Sequence, residues 1–142
     1  QGNPRFEEEQ HRLFDANLMF DNVYSGGVDF VSLQRDEGAE KRPDWVESVP
    51  LDNWKQTAAV ISNLDLVITS CTSVAHLSAA MGVPTWVIVP IMPYYLWALP
   101  GDKTPWYNSV NLFRQTKFGE WHDVFERIGA QLRKPKYDLR AS

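Results

Sequence analysis

The stretch "LDLVITSCTSVAHLSAAMGVPTWVIVP", residues 64–90, decides the fold. Its first seven residues are mostly apolar, with β-branched Val67, Ile68 and Thr69, and run into small polar residues, which predicts a strand over 64–70. An alanine-rich segment over 72–81 predicts a helix. Gly82 supplies its C-terminal stop, with Pro84 just beyond. "PTWVIVP" (84–90) is continuously apolar, the pattern of a strand buried on both faces of a parallel sheet. A strand, a helix and a second strand in this order make a crossover unit.

The turn inside this unit, "SCTSVAH" (70–76), is a candidate anion seat. The first turn of a helix carries backbone N–H groups without intrahelical partners, and the helix dipole adds partial positive charge there. A phosphate reaches those groups where side chains are small, as Ser70, Thr72, Ser73 and Ala75 are. Thr72 and Ser73 add hydroxyls, and His76 adds an imidazole N–H one turn in. The plainer alternative is equally physical. Thr72 then serves only as an N-cap, the small residues serve close helix–sheet packing, and His76 is a satisfied core histidine. Neither a glycine-rich dinucleotide fingerprint nor a P-loop lysine accompanies the turn, which counts against a plain dehydrogenase or NTPase.

Outward from this unit the elements keep alternating. "GNP" (2–4) reads as a turn opening a helix over 5–20, with Asn3 as N-cap and Pro4 at the first helical position. "VDFVSLQ" (28–34) predicts a strand. Residues 35–50 predict a charged, proline-broken loop carrying a short strand at 45–49. Asp52 is the expected cap of a helix over 53–63. "VNLFRQ" (110–115) predicts another strand, and 119–134 an amphipathic helix presenting Trp121, Val124, Phe125, Ile128 and Leu132. The fold class is therefore α/β, a doubly wound, mostly parallel, Rossmann-like sheet. Such sheets bind ligands beyond the carboxyl ends of their strands. A doubly wound domain begins with a strand feeding its first helix, and none precedes "GNP". The expectation is a single domain, 1–142, that is a fragment of a longer protein with its first strand missing.

Bulk properties narrow the partners. The 142 residues are 44% hydrophobic and 23% charged, ordinary for one globular domain. A net charge of −4 counts against a nucleic-acid partner. No run approaches the roughly 18 apolar residues of a membrane span. One cysteine permits no internal disulfide and no cysteine-rich zinc site, which fits a reducing, cytoplasmic setting. Aromatic residues reach 13%, with six tryptophans, read either as core or as a surface that stacks a base or sugar or docks another domain. Trp106 and Tyr107 in "TPWYNS" are open to both readings. Acidic residues are scattered, and "EEE" at 7–9 reads as a solvated helix face.

Taken jointly, "GNP", "FVSLQ", "TAAVISNLDLVIT", "CTSVAHLSAAMGVPTWVIVP", "PWYNSVNLFRQ" and "GEWHDVFERI" resemble the nucleotide-binding C-terminal half of GT-B-fold glycosyltransferases. The match is to the heptosyltransferase-like (family 9) group, including the domain fused behind tetratricopeptide repeats in bacteria, and spans Gly2 to about Ile128. The resemblance implies binding of a nucleotide-sugar donor, with transfer of the sugar to an acceptor hydroxyl. It implies that Cys71, Thr72, Ser73 and Val74 form the diphosphate loop and that His76 is the family histidine. It further implies that Gly2 and Asn3 face the donor phosphates, that Gln34 and Arg35 lie by the nucleoside, and that Thr57 faces the same cleft. No metal or other cofactor is implied. Acceptor site and catalytic base are implied on an N-terminal domain not included in these residues.

Two departures stand out. Cys71 occupies the family's aspartate position. Pro93-Tyr94-Tyr95-Leu96-Trp97 stands where the family reads Pro-Asp-Trp-Arg-Trp. They motivate a second reading, a transferase-like module without chemistry that serves as an interaction surface. A third is another nucleotide-binding Rossmann-like domain such as a sugar epimerase.

Overall fold

The computed structural model describes residues 16–26, 28–33, 43–91 and 101–134. Gly2, Asn3, Gln34, Arg35 and the 93–97 stretch lie outside the described residues, as does the predicted start of the first helix. The element order is α1 (Ala16–Val23), β1 (Phe30–Ser32), β2 (Val46–Ser48), α2 (Trp54–Ser62), β3 (Val67–Ser70), α3 (Ser73–Ala80), β4 (Thr85–Val89), β5 (Val110–Arg114) and α4 (His122–Leu132).

Among the described residues the fold is α/β with parallel strands, in two small sheets rather than one. β1 pairs with β2 in parallel, Phe30 opposite Val46. β3, β4 and β5 form a second parallel sheet in that order, with Val67 opposite Thr85 and Thr85 opposite Val110. The strands are shorter than the apolar runs that predict them. At 64–66 the chain is still leaving α2, with the Leu64 N–H donating to the Ile61 carbonyl.

β4 explains why the sheet needs cover on both sides. All five of its residues are buried. Trp86 and Ile88 enter one core with Val23 of α1 and Val124, Phe125 and Ile128 of α4, while Val87 and Val89 enter another with Cys71, Ala75, Ala79, Val110 and Leu112. This is the period-two alternation of a strand serving two layers. α1 and α4 cover the first face and pack on each other, while α3 covers the second and contacts α2.

The helix boundaries follow local chemistry. α2 is capped by Asn53, not by Asp52: the Asn53 side chain accepts from the Gln56 N–H at 2.9 Å. Gln56 Oε1 in turn accepts from the Asp52 N–H at 2.7 Å, so Asp52 serves by its backbone. α3 ends in a Schellman motif. Gly82 adopts φ +77, its N–H donates to the Ala79 carbonyl at 3.0 Å, and the Val83 N–H donates to the Ser78 carbonyl at 3.1 Å. α3 lies close to the sheet because its buried face is small, Ala75, Ser78 and Ala79.

Candidate functional site

The 70–76 turn sits at the carboxyl end of β3 and opens α3, as the crossover reading predicts. It differs from the start of α2 in its side-chain cap, not in its backbone, since both N-caps are extended. Thr72 is the N-cap in extended conformation, yet its side chain makes no cap hydrogen bond. Its hydroxyl lies 3.3 Å from that of Thr69. The Thr72 N–H donates to the Ser70 carbonyl at 2.8 Å, and the Ala75 N–H to the Thr72 carbonyl at 3.0 Å. Among the described residues nothing accepts from the Ser73 or Val74 N–H. Ser73 is exposed. The third first-turn donor is satisfied in both helices, by the Asn53 side chain in α2 and by the Thr72 carbonyl in α3. α3 thus leaves two adjacent backbone donors and an exposed hydroxyl at a helix N-terminus.

Behind the turn stands His76. Its Nδ1 lies 3.1 Å from the Tyr107 hydroxyl, with the two rings tilted at 59°. Desolvation by burial pushes its pKa down from the ordinary 6.5, so the imidazole is neutral at pH 7. The hydroxyl can pair with either tautomer of the neutral ring, accepting from an Nδ1–H or donating to a bare Nδ1. Tyr107 is half-buried against the Cys71–Ala75–Ala79 cluster and fills the space between α3 and the sheet. Its neighbour Trp106 is 58% exposed. The two residues, open to one shared reading in sequence, therefore separate into a packing residue and a surface residue.

Cys71 does not face the open side of the turn. It is buried in the apolar cluster, and its thiol donates to the Ile88 carbonyl at 3.4 Å. Burial among aliphatic groups makes it a core residue rather than an accessible nucleophile. Thr57 is fully buried in the first turn of α2, its hydroxyl donating back to the Asn53 carbonyl at 3.2 Å. The structure thus brings Thr72, Ser73, Val74 and His76 together on one turn, with Cys71 beneath it and Thr57 on the adjoining helix.

Gln115, missed by sequence reasoning, and Arg114 organise the same end of the sheet. Gln115 is buried; its Oε1 accepts from the Ile91 N–H at 3.0 Å and its Nε2 donates to the Glu120 carbonyl at 3.3 Å, tying the exits of β4 and β5 together. Arg114, the last residue of β5, donates from Nε to the Gly101 carbonyl at 2.7 Å. Burial lowers its pKa, partly offset by nearby Cys71. A buried glutamine joining two loops was the available signal, but only a known strand register turns it into a position.

A groove of about 640 Å³ opens at the other, amino end of the strands, lined by Gly82, Pro84, Trp106, Asn108 and Asn111 among others. Tyr107, the partner of His76, also lines it, whereas none of Cys71, Thr72, Ser73, Val74 and His76 does. No group of three or more His, Cys, Asp or Glu able to hold a metal ion occurs among the described residues. No described helix is long and apolar enough to cross a membrane.

No family model and no solved structure matches the chain. Among curated proteins it is similar to Protein FlbA of Caulobacter vibrioides, 25% identical over 141 residues. That match covers 91% of this chain but 23% of the relative, so the chain spans less than a quarter of the relative's length.

Proposed function

We propose that this chain binds the diphosphate of a nucleotide-sugar donor at the 70–76 turn, as the donor-binding part of a glycosyltransferase. The observation that carries the reading is the pair of unaccepted N–H groups on Ser73 and Val74, at the end of a parallel strand and beside an exposed hydroxyl. Those donors suit a diphosphate, whose oxygens accept several hydrogen bonds at once. His76 stands one turn behind these donors, and its lowered pKa keeps it neutral at pH 7. The resemblance to the family 9 half of GT-B transferases supplies the ligand class.

In the reaction this implies, an acceptor hydroxyl oxygen bonds to the anomeric carbon as the bond to the diphosphate oxygen breaks. The hydroxyl proton passes to a base outside these residues. The contribution of this chain is to hold the departing diphosphate, stabilising its growing charge through fixed N–H and O–H dipoles. Calorimetric titration with UDP, GDP and ADP tests it. Binding of one is the expected result, and no binding of any by folded protein overturns it. Replacing Ser73 and His76 together with alanine is expected to weaken that binding by roughly 1–3 kcal/mol, since hydrogen bonds to a charged group are lost.

One observation favours a second reading. Cys71 occupies the family's aspartate position and is buried, so no side-chain carboxylate stands there. A domain that kept the fold and lost the donor would serve as an interaction module. Folded protein that binds none of the three nucleotides is the result this reading predicts.

A further inference from the structure

The groove at the amino end of the strands carries chemistry of its own. Residues 101–109 build one wall, and that wall is anchored. The Leu112 N–H of β5 donates to the Asp102 carbonyl at 2.8 Å, and the Ser109 hydroxyl donates to the Ala79 carbonyl of α3 at 3.1 Å. Trp106 is held between these points. Its backbone N–H donates to the hydroxyl of buried Thr104 at 3.3 Å, and the next residue, Tyr107, packs on the core. The indole itself stays exposed and lines the groove. A fixed backbone thus presents a large flat ring to solvent.

The polar groups around the ring are mixed in kind. Asn108 is exposed, and its side chain makes no hydrogen bond among the described residues. Asn111 is half-buried on β5; its Oδ1 accepts from Lys103 Nζ at 2.5 Å, which leaves its NH2 group to donate. On the facing wall α3 ends. The Val83 N–H is spent on the Ser78 carbonyl and Pro84 has no N–H, so no described residue donates to the exposed Ala80 carbonyl.

These groups select a ligand class. Open carbonyls at a helix C-terminus carry partial negative charge, which disfavours a phosphate or carboxylate. Among the described residues lining the groove, Lys103 is the one cation, and none is acidic. A hydroxyl both donates and accepts, so neighbouring hydroxyls match amide NH2 groups and a carbonyl presented together. The C–H face of a sugar ring, polarised by its oxygens, packs on the electron-rich face of an indole. The volume of about 640 Å³ is that of a small-molecule site.

We propose that this groove binds a neutral saccharide. Trp106 stacks on one sugar ring, Asn108 and Asn111 donate to its hydroxyls, and the Ala80 carbonyl accepts from one of them. With no carboxylate in the lining to serve as acid or base, the sugar is held rather than hydrolysed. The groove lies at the opposite end of the strands from the 70–76 turn, so this binding does not depend on what that turn holds.

The natural polypeptide, nitrogen-15-labelled at tryptophan and asparagine, is titrated with maltotriose, xylotriose and triacetylchitotriose, and with trigalacturonate as the charged comparison. At least one neutral sugar should move the Trp106 indole N–H and the Asn108 and Asn111 side-chain amides together and saturably. Trp106→Ala should weaken that binding at least about tenfold with an unchanged melting temperature, since the indole is exposed. Asn108→Ala, at an exposed side chain, should weaken it about fivefold and serves alone if the tryptophan variant does not fold. Three neutral sugars that leave these signals unmoved overturn the proposal. So does tighter binding of trigalacturonate, or of UDP, GDP or ADP, in the groove. Unsaturable shifts shared equally by exposed Trp54 mean stacking on any open ring and also overturn it. These signals are distinct from the Ser73 and Val74 amides, so the groove and the donor site can each fail alone.

Discussion

His76 connects packing to chemistry through one hydrogen bond. The Tyr107 hydroxyl meets Nδ1, and the same tyrosine fills the space between α3 and the sheet, so the imidazole is fixed by a core contact. Because burial lowers its pKa in the folded state, protonation favours the unfolded chain. The sign is then determined. The contribution of His76 is complete above the unfolded value of 6.5 and is lost as pH falls from there through the lower folded value. Urea midpoints measured at about pH 7 and about pH 5.5 should show a fall that is smaller in His76→Gln. An equal fall in the variant would mean that other groups carry the dependence. The sequence marked His76 by its place in a helix's first turn. It could not mark Tyr107 as its partner, since 31 residues separate them and only the β4–β5 register brings them together.

At the scale of elements, the contact between α1 and α4 depends on a residue with no side chain. A Cβ built on Gly129 would lie 2.2 Å from the Asn22 carbonyl oxygen, closer than any real contact permits. Arg133 closes the same junction, donating from Nη2 to the Asn22 carbonyl at 2.7 Å and to that of Tyr24 at 3.2 Å. Helix propensity alone favours Gly129→Ala by up to about 1 kcal/mol. Overpacking opposes it at about 1–3 kcal/mol, and here the obstacle is backbone. A net loss of stability in urea unfolding is therefore expected; a gain would show that α1 sits further from α4. The amphipathic pattern made α4 legible, with Val124, Phe125, Ile128 and Leu132 all buried. Gly129 was not legible in the same way, because a glycine inside a helical pattern records only that something approaches, not what. The start of α2 shows a related limit. Asp52 and Asn53 are adjacent and both suit an N-cap, and the backbone conformation of Asn53 decides between them.

Across the whole molecule, the alternation of strands and helices was readable from periodicity, and the parallel pairing from the continuous apolarity of β4. The division into two sheets among the described residues was not readable, because which strands pair depends on tertiary packing rather than on the apolar pattern of either strand. The proposed anion seat follows the same division. Its small residues and hydroxyls stand in plain view at 70–76, whereas the turning of Cys71 into the core depends on the packing of Val87, Val89 and Ala75 beneath it. The proposed donor site centres on two backbone N–H groups at the start of α3, those of Ser73 and Val74. Amide shifts of Ser73 and Val74, followed in nitrogen-15-labelled protein during titration with UDP, GDP or ADP, test that directly. One nucleotide should move these two amides more than any others and do so saturably. Unmoved Ser73 and Val74 amides at saturation, with shifts confined to another surface, would contradict it.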